Sequence, residues 1–61
     1  MSILSMIDKL DEYLVIARGN AEKFEINNNK AAGTRVRKNM QDIKALAQSI
    51  RNAVTDAKKG G

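Results

Sequence analysis

Three consecutive asparagines, Asn27 to Asn29, form the one clear break in a chain of 61 residues that contains no proline. Proline interrupts helices, so its absence allows long continuous helices on both sides of this break. Asparagine side chains compete for their own backbone and tolerate left-handed conformations, which favours a turn here. The sequence therefore predicts two long helices joined by a short turn.

Apolar residues on both sides of the turn recur at alternating steps of three and four, the spacing of a helix packed along a neighbour. In the first segment the series is Ile3, Ile7, Leu10, Leu14, Ala17, Ala21 and Phe24. In the second it is Gly33, Val36, Met40, Ile43, Ala47, Ile50, Val54 and Ala57, widened by Leu46. Because so short a turn makes consecutive helices antiparallel, we predict an all-α fold. It is an antiparallel helical hairpin, a single domain over residues 1–61 with helices at about 3–27 and 30–58.

Small and polar residues mark the predicted helix ends. Ser2 is a suitable N-cap for the first helix, and Asn28 or Asn29 for the second, while Gly60 and Gly61 mark a frayed end. Gly33 costs about 1 kcal/mol inside a helix. Either it allows a close approach of the two helices near the turn, or it reflects the ordinary tolerance of the first helical turn for glycine.

Further apolar residues lie off these series and predict self-association. In the first helix they are Leu4, Met6, Tyr13, Val15 and Ile16. A two-helix hairpin buries one stripe per helix, whereas ordering about 60 residues costs on the order of 90 kcal/mol. We therefore expect a homodimer or homotetramer in the form of a helical bundle. The alternative is a monomeric hairpin with scattered exposed apolar residues.

The charge is distributed unevenly between the two segments. The whole chain carries 11 Lys and Arg against 7 Asp and Glu, a net charge of +4. Through Asn28, three cations and five acids give −2; from Asn29 on, eight cations and two acids give +6. A strongly basic helix points to a polyanionic partner, nucleic acid or an anionic membrane surface.

The start of the second helix is the most basic part of the chain, since no acid occurs between Lys30 and Gln41. Cations there repel one another and oppose the helix macrodipole, and an anion relieves both penalties. At 100° per residue, most of them lie away from the apolar stripe, with Arg35 and Lys44 on opposite flanks. Phosphate fits the free N–H groups and cations of such a helix start.

The predicted DNA-binding residues are Asn29, Lys30, Thr34, Arg35, Arg37, Lys38, Lys44 and Arg51. Alternatively, the second helix pairs its cations with the acids of the first.

The partner predicted from these residues is double-stranded DNA, bound by its phosphates with little sequence selectivity. The chain has no aromatic platform for single strands and no short second helix of helix-turn-helix proportions. RNA binding is a variant of this hypothesis. A different function, a helical interaction module that docks an acidic protein partner, is the alternative.

Other functions lack the residues they need. Without Cys or His the chain has no thiolate or imidazole chemistry, and Asp8, Asp11 and Glu12 are ordinary solvated carboxylates. We therefore expect no enzyme activity, no metal site, no cofactor and no small-molecule substrate. The longest apolar run, Tyr13 to Ala17, is far shorter than the roughly 20 residues of a membrane span, and no cleavable signal is visible. We expect a cytoplasmic protein without a membrane partner.

The start of the second helix also resembles a known family. Its sequence is Asn29-Lys30-Ala31-Ala32-Gly33-Thr34-Arg35-Val36-Arg37, continuing through Ile43-Lys44 to Ala47 and Arg51. This run resembles the small linker-histone-like DNA-binding proteins of bacteria, the chlamydial nucleoid-protein type. In that family an Asn-Lys-Ala-Ala segment precedes an Arg-x-Arg pair that opens a long helix.

The resemblance implies a nucleoid-associated protein that binds and compacts DNA with little sequence preference. Lys30, Arg35 and Arg37 match the signature cations of the family, and Lys44 and Arg51 match later basic positions. The resemblance covers the helical core module, without the Lys/Ala-rich tail of the longer members. Ile50 stands where the family often has an aromatic residue.

Overall fold

The fold is a two-helix antiparallel hairpin, as predicted. A computed structural model describes residues 2–60, with α1 at Ile3–Asn27 and α2 at Lys30–Gly60. The helices pack along each other in a rod of 50 × 15 × 13 Å. The bounds of α1 agree with the prediction, and α2 extends past the predicted residue 58 to Gly60. Gly61, predicted to belong to a frayed end, lies outside the described residues.

Polar side chains fix the helix ends. Ser2 Oγ accepts a hydrogen bond from the Ser5 backbone N–H at 3.0 Å, which confirms the predicted N-cap of α1. Asn28 ends α1 in the left-handed conformation, with φ 52° and ψ 38°. Asn29 Oδ1 accepts a hydrogen bond from the Ala32 N–H at 3.2 Å and caps α2. Asn28 therefore ends α1, and Asn29 caps the start of α2.

Gly33 is the point of closest approach near the turn. A Cβ atom at this residue would lie 2.7 Å from Phe24 Cδ1 and 2.8 Å from Cε1, closer than real Cβ contacts allow. Gly33 has ordinary helical φ, so it is needed for space rather than for an unusual backbone conformation. Of the two explanations offered for Gly33, the structure therefore supports the close approach of the helices.

The contact between the helices is narrow. Ala17, 5% exposed, and Ala32, 0% exposed, are the buried hydrophobic residues of the described chain. Around them lie half-buried residues, in α1 Ile3, Met6, Leu10, Tyr13, Asn20 and Ala21, and in α2 Gly33, Val36, Asn39, Ile43, Leu46, Ala47, Ile50 and Ala53. Small residues at the closest points let the two backbones approach.

Six residues of the predicted apolar series are exposed rather than buried between the helices. Ile7, Leu14, Phe24, Met40 and Val54 are 38%, 47%, 46%, 45% and 37% exposed, and Ala57 is exposed as well. In α1, Met6 and Tyr13 are half-buried instead, although the apolar spacing places them off the predicted stripe. The physical reason is that each helix is apolar over more than one stripe, and a single neighbouring helix covers only part of that width.

The hairpin has two different faces along the helix–helix contact. One, which we call the apolar face, carries four of these exposed residues, Ile7, Leu14, Met40 and Val54. It has a groove lined by Leu14, Ala17, Arg18, Ala21, Val36 and Met40. The opposite face, which we call the amide face, carries a side-chain hydrogen bond from Asn20 Nδ2 to Asn39 Oδ1 at 2.9 Å. This part-buried polar pair joins α1 to α2 at one fixed register.

Candidate nucleic-acid interface

All eight predicted DNA-binding residues are exposed, one in the turn and seven along α2. The helix start brings three of them together. Lys30, Thr34 and Arg37 surround a shallow hollow beside the turn, whose apolar lining comes from Phe24, Gly33 and Val36. Two cations and a hydroxyl group at the rim of one hollow form a suitable site for a phosphate oxygen.

Asn29 lies next to this hollow, but its side chain already has a structural role. Its Oδ1 atom accepts the Ala32 N–H, so the amide nitrogen is the group left to donate to a phosphate. The cap also satisfies one of the N–H groups that would otherwise be unpaired at the start of α2.

Arg35 is separated from the other cations of the helix start. Its Nε atom donates to Asn20 Oδ1 at 3.2 Å, on the amide face. At 100° per residue, Arg35 lies about 160° around α2 from Arg37, and Lys38 lies between these two directions on the outer surface. The predicted cluster is therefore divided between two sides of the helix.

The cations on the other side of α2 form a regular series. They recur at every seventh residue: Lys30, Arg37, Lys44, Arg51 and Lys58, all exposed. Seven residues are about 20° short of two helical turns and rise about 10.5 Å, so the series spans about 42 Å and turns by about 80° toward the apolar face between Lys30 and Lys58. We call it the basic row. It runs beside the apolar face, next to Met40 and Val54.

Four members of the basic row are among the predicted DNA-binding residues, and the fifth, Lys58, is not. The signal that identifies it is the seven-residue recurrence of cations, which continues to the end of α2. Lys38 and Arg35 do not belong to the row.

None of these cations bonds to a carboxylate through a side-chain hydrogen bond in the part of the chain that the structure describes. The interaction that a cation does make there joins Arg35 to the neutral amide of Asn20. The two acids of α2, Asp42 and Asp56, lie about 160° around the helix from Lys44 and Lys58. The basic row therefore faces solvent without a compensating charge beside it on its own helix.

Residues 2–60 contain no group of three or more His, Cys, Asp or Glu placed to hold a metal ion. Neither α1 nor α2 is long and apolar enough to cross a membrane.

A family model described as histone H1-like protein Hc1 matches residues 5–60, which include nearly all of both helices, the turn and the whole basic row. No match was found among curated proteins or solved structures.

Proposed function

This chain belongs to the histone H1-like Hc1 family, and from that premise we propose that it is a nucleoid-associated protein that binds duplex DNA by its phosphates. The observation that carries the proposal is the charge of α2. Eight cations follow the turn against two acids, and the six predicted as DNA-binding are exposed. Such a helix is locally unfavourable until a polyanion neutralises it.

The expected mechanism is electrostatic and insensitive to sequence. Lys30, Arg37 and Lys44 would donate to phosphate oxygens, and Thr34 and the Asn29 amide nitrogen would add neutral donors near the turn. Base-specific binding needs side chains held in a groove against base edges, and α2 offers mostly long, flexible cations. Binding therefore gains its free energy from release of the counterions condensed on DNA.

A salt titration tests this proposal. If about five phosphates are neutralised, the slope of log K against log salt is about −4.5, and affinity falls about 3,000-fold from about 50 to about 300 mM salt. The measurement is gel retardation of duplexes of random sequence, repeated with duplex RNA. We expect the steep loss and no preference among DNA sequences. No retardation even at the lowest salt would contradict DNA binding and favour the docking of an acidic protein partner.

We also propose that the hairpin acts as a homodimer or homotetramer. Its accessible surface is 4933 Å², whereas a compact monomer of 6.7 kDa exposes about 3,900 Å². The excess of about 1,000 Å² per copy is similar to the 800 Å² or so that each partner buries in a standard interface. The apolar face is the surface we expect to be covered. Joining copies would multiply a weak DNA site through effective concentration.

Charges placed on the apolar face should separate the copies. For Leu14→Glu with Met40→Glu we expect the light-scattering mass to fall to that of one chain, because two carboxylates would have to be buried in the interface. Ile16→Glu with Ile26→Glu adds the same charge at exposed apolar residues away from this face and should leave the mass unchanged. A monomeric parent protein would contradict the proposal.

A further inference from the structure

We propose that the phosphate-binding surface is the whole basic row along α2, rather than the group of cations at the helix start. The ligand is the phosphodiester backbone of duplex DNA. This proposal rests on the proposed function and specifies which side of the helix performs it.

The surroundings of the row support this assignment. On a helix, the neighbours of a residue are three and four positions away. For the five cations of the row within residues 2–60, these neighbours form two uncharged series. One is Gly33, Met40, Ala47 and Val54; the other is Thr34, Gln41, Gln48 and Thr55. No acid therefore stands three or four positions from any of these cations within α2, and the nearest acids, Asp42 and Asp56, lie about 160° around the helix from Lys44 and Lys58.

The second of these series adds neutral hydrogen-bonding groups of the type that contact phosphates. Two of its members have partners within α2: Gln48 Nε2 donates to Asn52 Oδ1 at 3.1 Å, and Thr55 Oγ1 donates to the Arg51 carbonyl at 3.1 Å. Thr34 and Gln41, beside the first cations of the row, are the members best placed to donate to DNA.

The spacing of the row fits an extended ligand. Its cations stand about 10.5 Å apart, close to the Debye length at 0.1 M salt, so salt screens part of the repulsion between them. A single phosphate or another small anion would contact one or two of them. An extended polyanion can engage all five, and duplex DNA presents one charge per 1.7 Å or so of its axis. Because the phosphates of DNA are so closely spaced, the row can meet them at any position along the duplex. This agrees with the expected lack of sequence preference.

The cations at the helix start fit the same ligand less well. Arg35 points to the amide face, where it bonds to Asn20. A duplex lying against Lys30 and Arg37 would leave Arg35 on the far side of α2. The side of α2 that carries the basic row therefore presents more exposed cations to one duplex than the helix start does.

Two triple variants with the same loss of charge test this inference. The row variant is Arg37→Gln, Lys44→Gln and Arg51→Gln; the control is Arg35→Gln, Lys38→Gln and Lys59→Gln, all six residues exposed. We expect the row variant to make the salt slope shallower by about 2.7 and to weaken binding about 500-fold at about 0.1 M salt. The control should change the slope by less than about 1. Circular dichroism verifies that both variants keep their helices.

The possible results separate this inference from the function on which it rests. Equal losses in both variants, with a parent protein that binds, would overturn the row and leave DNA binding intact. A larger loss in the control would also overturn it and assign the contact to Arg35 and Lys38. A parent protein that fails to retard DNA at any salt would overturn the function and the row together.

Discussion

Retardation of duplex DNA is expected to disappear when Lys30 and Arg37 are both changed to glutamate. These two cations border the hollow beside the turn and begin the basic row. Each charge-assisted hydrogen bond contributes about 1.5–3 kcal/mol, so the loss of two corresponds to about 3–6 kcal/mol, or on the order of 100- to 10,000-fold in affinity. Repulsion between the new carboxylates and DNA adds to this. The measurement is gel retardation at about 0.1 M salt.

A second double variant separates position from total charge. Lys9→Glu with Lys23→Glu changes the net charge by the same amount at exposed residues of α1. We expect this control to weaken binding far less, because α1 carries no comparable row of cations. Helical content should be unchanged in both proteins. Unchanged binding by the Lys30/Arg37 variant at moderate salt would refute the assignment of DNA binding to α2.

Thermal stability should fall sharply in Ala32→Leu. Ala32 is 0% exposed and lies where the helices approach near the turn. A larger side chain there must displace a neighbour, which costs about 1–3 kcal/mol. A domain of this size has only about 3–5 kcal/mol of stability from its core. At about 4–8 °C per kcal/mol, the melting temperature should drop by roughly 5–20 °C.

The adjacent residue provides the matched control for this change. Ala31 is exposed on the same turn of α2, so Ala31→Leu should alter the free energy of unfolding by no more than about 0.5 kcal/mol. The two melting curves, followed by circular dichroism, must be recorded at the same chain concentration because self-association also raises the melting temperature. Coincident curves would show that the helices have room at Ala32 and would contradict the close packing.

The turn and the helix bounds could be predicted because local chemistry determines them. Ser2 caps its helix through a residue three positions away, and Asn28 and Asn29 act on their own backbone or on the first turn of α2. For Gly33 the sequence left two explanations open, and the contact with Phe24 that decides between them depends on the folded hairpin. The absence of proline left no other place for a break.

The rotation of each helix about its axis could not be predicted from the same pattern. Periodicity shows that α1 is apolar along its length, but Ile7 and Leu14 fit an inward stripe as well as Met6 and Tyr13 do. The partner helix decides between them through close contacts at small residues. Sequence spacing alone therefore gave the right fold with a partly wrong contact surface.

The features of the candidate site could likewise be predicted only where they depend on residues close together in the sequence. Exposure of the α2 cations follows from their distance to the apolar stripe. The seven-residue recurrence of cations that includes Lys58 is also present in the sequence itself. The hydrogen bond between Arg35 and Asn20 could not be predicted, since it joins residues on different helices whose register is known only in the folded chain.

The hairpin topology also determines how the molecule opens. Contacts beside the turn, such as Phe24 with Gly33, close a short loop, whereas those near Ile3 and Ala53 close almost the entire chain at a greater entropic cost. Local unfolding and amide hydrogen exchange should therefore begin at the open end and advance toward the turn. If the basic row binds DNA as proposed, opening at this end lets Lys58 follow a curved duplex while Lys30 keeps its contact near the turn.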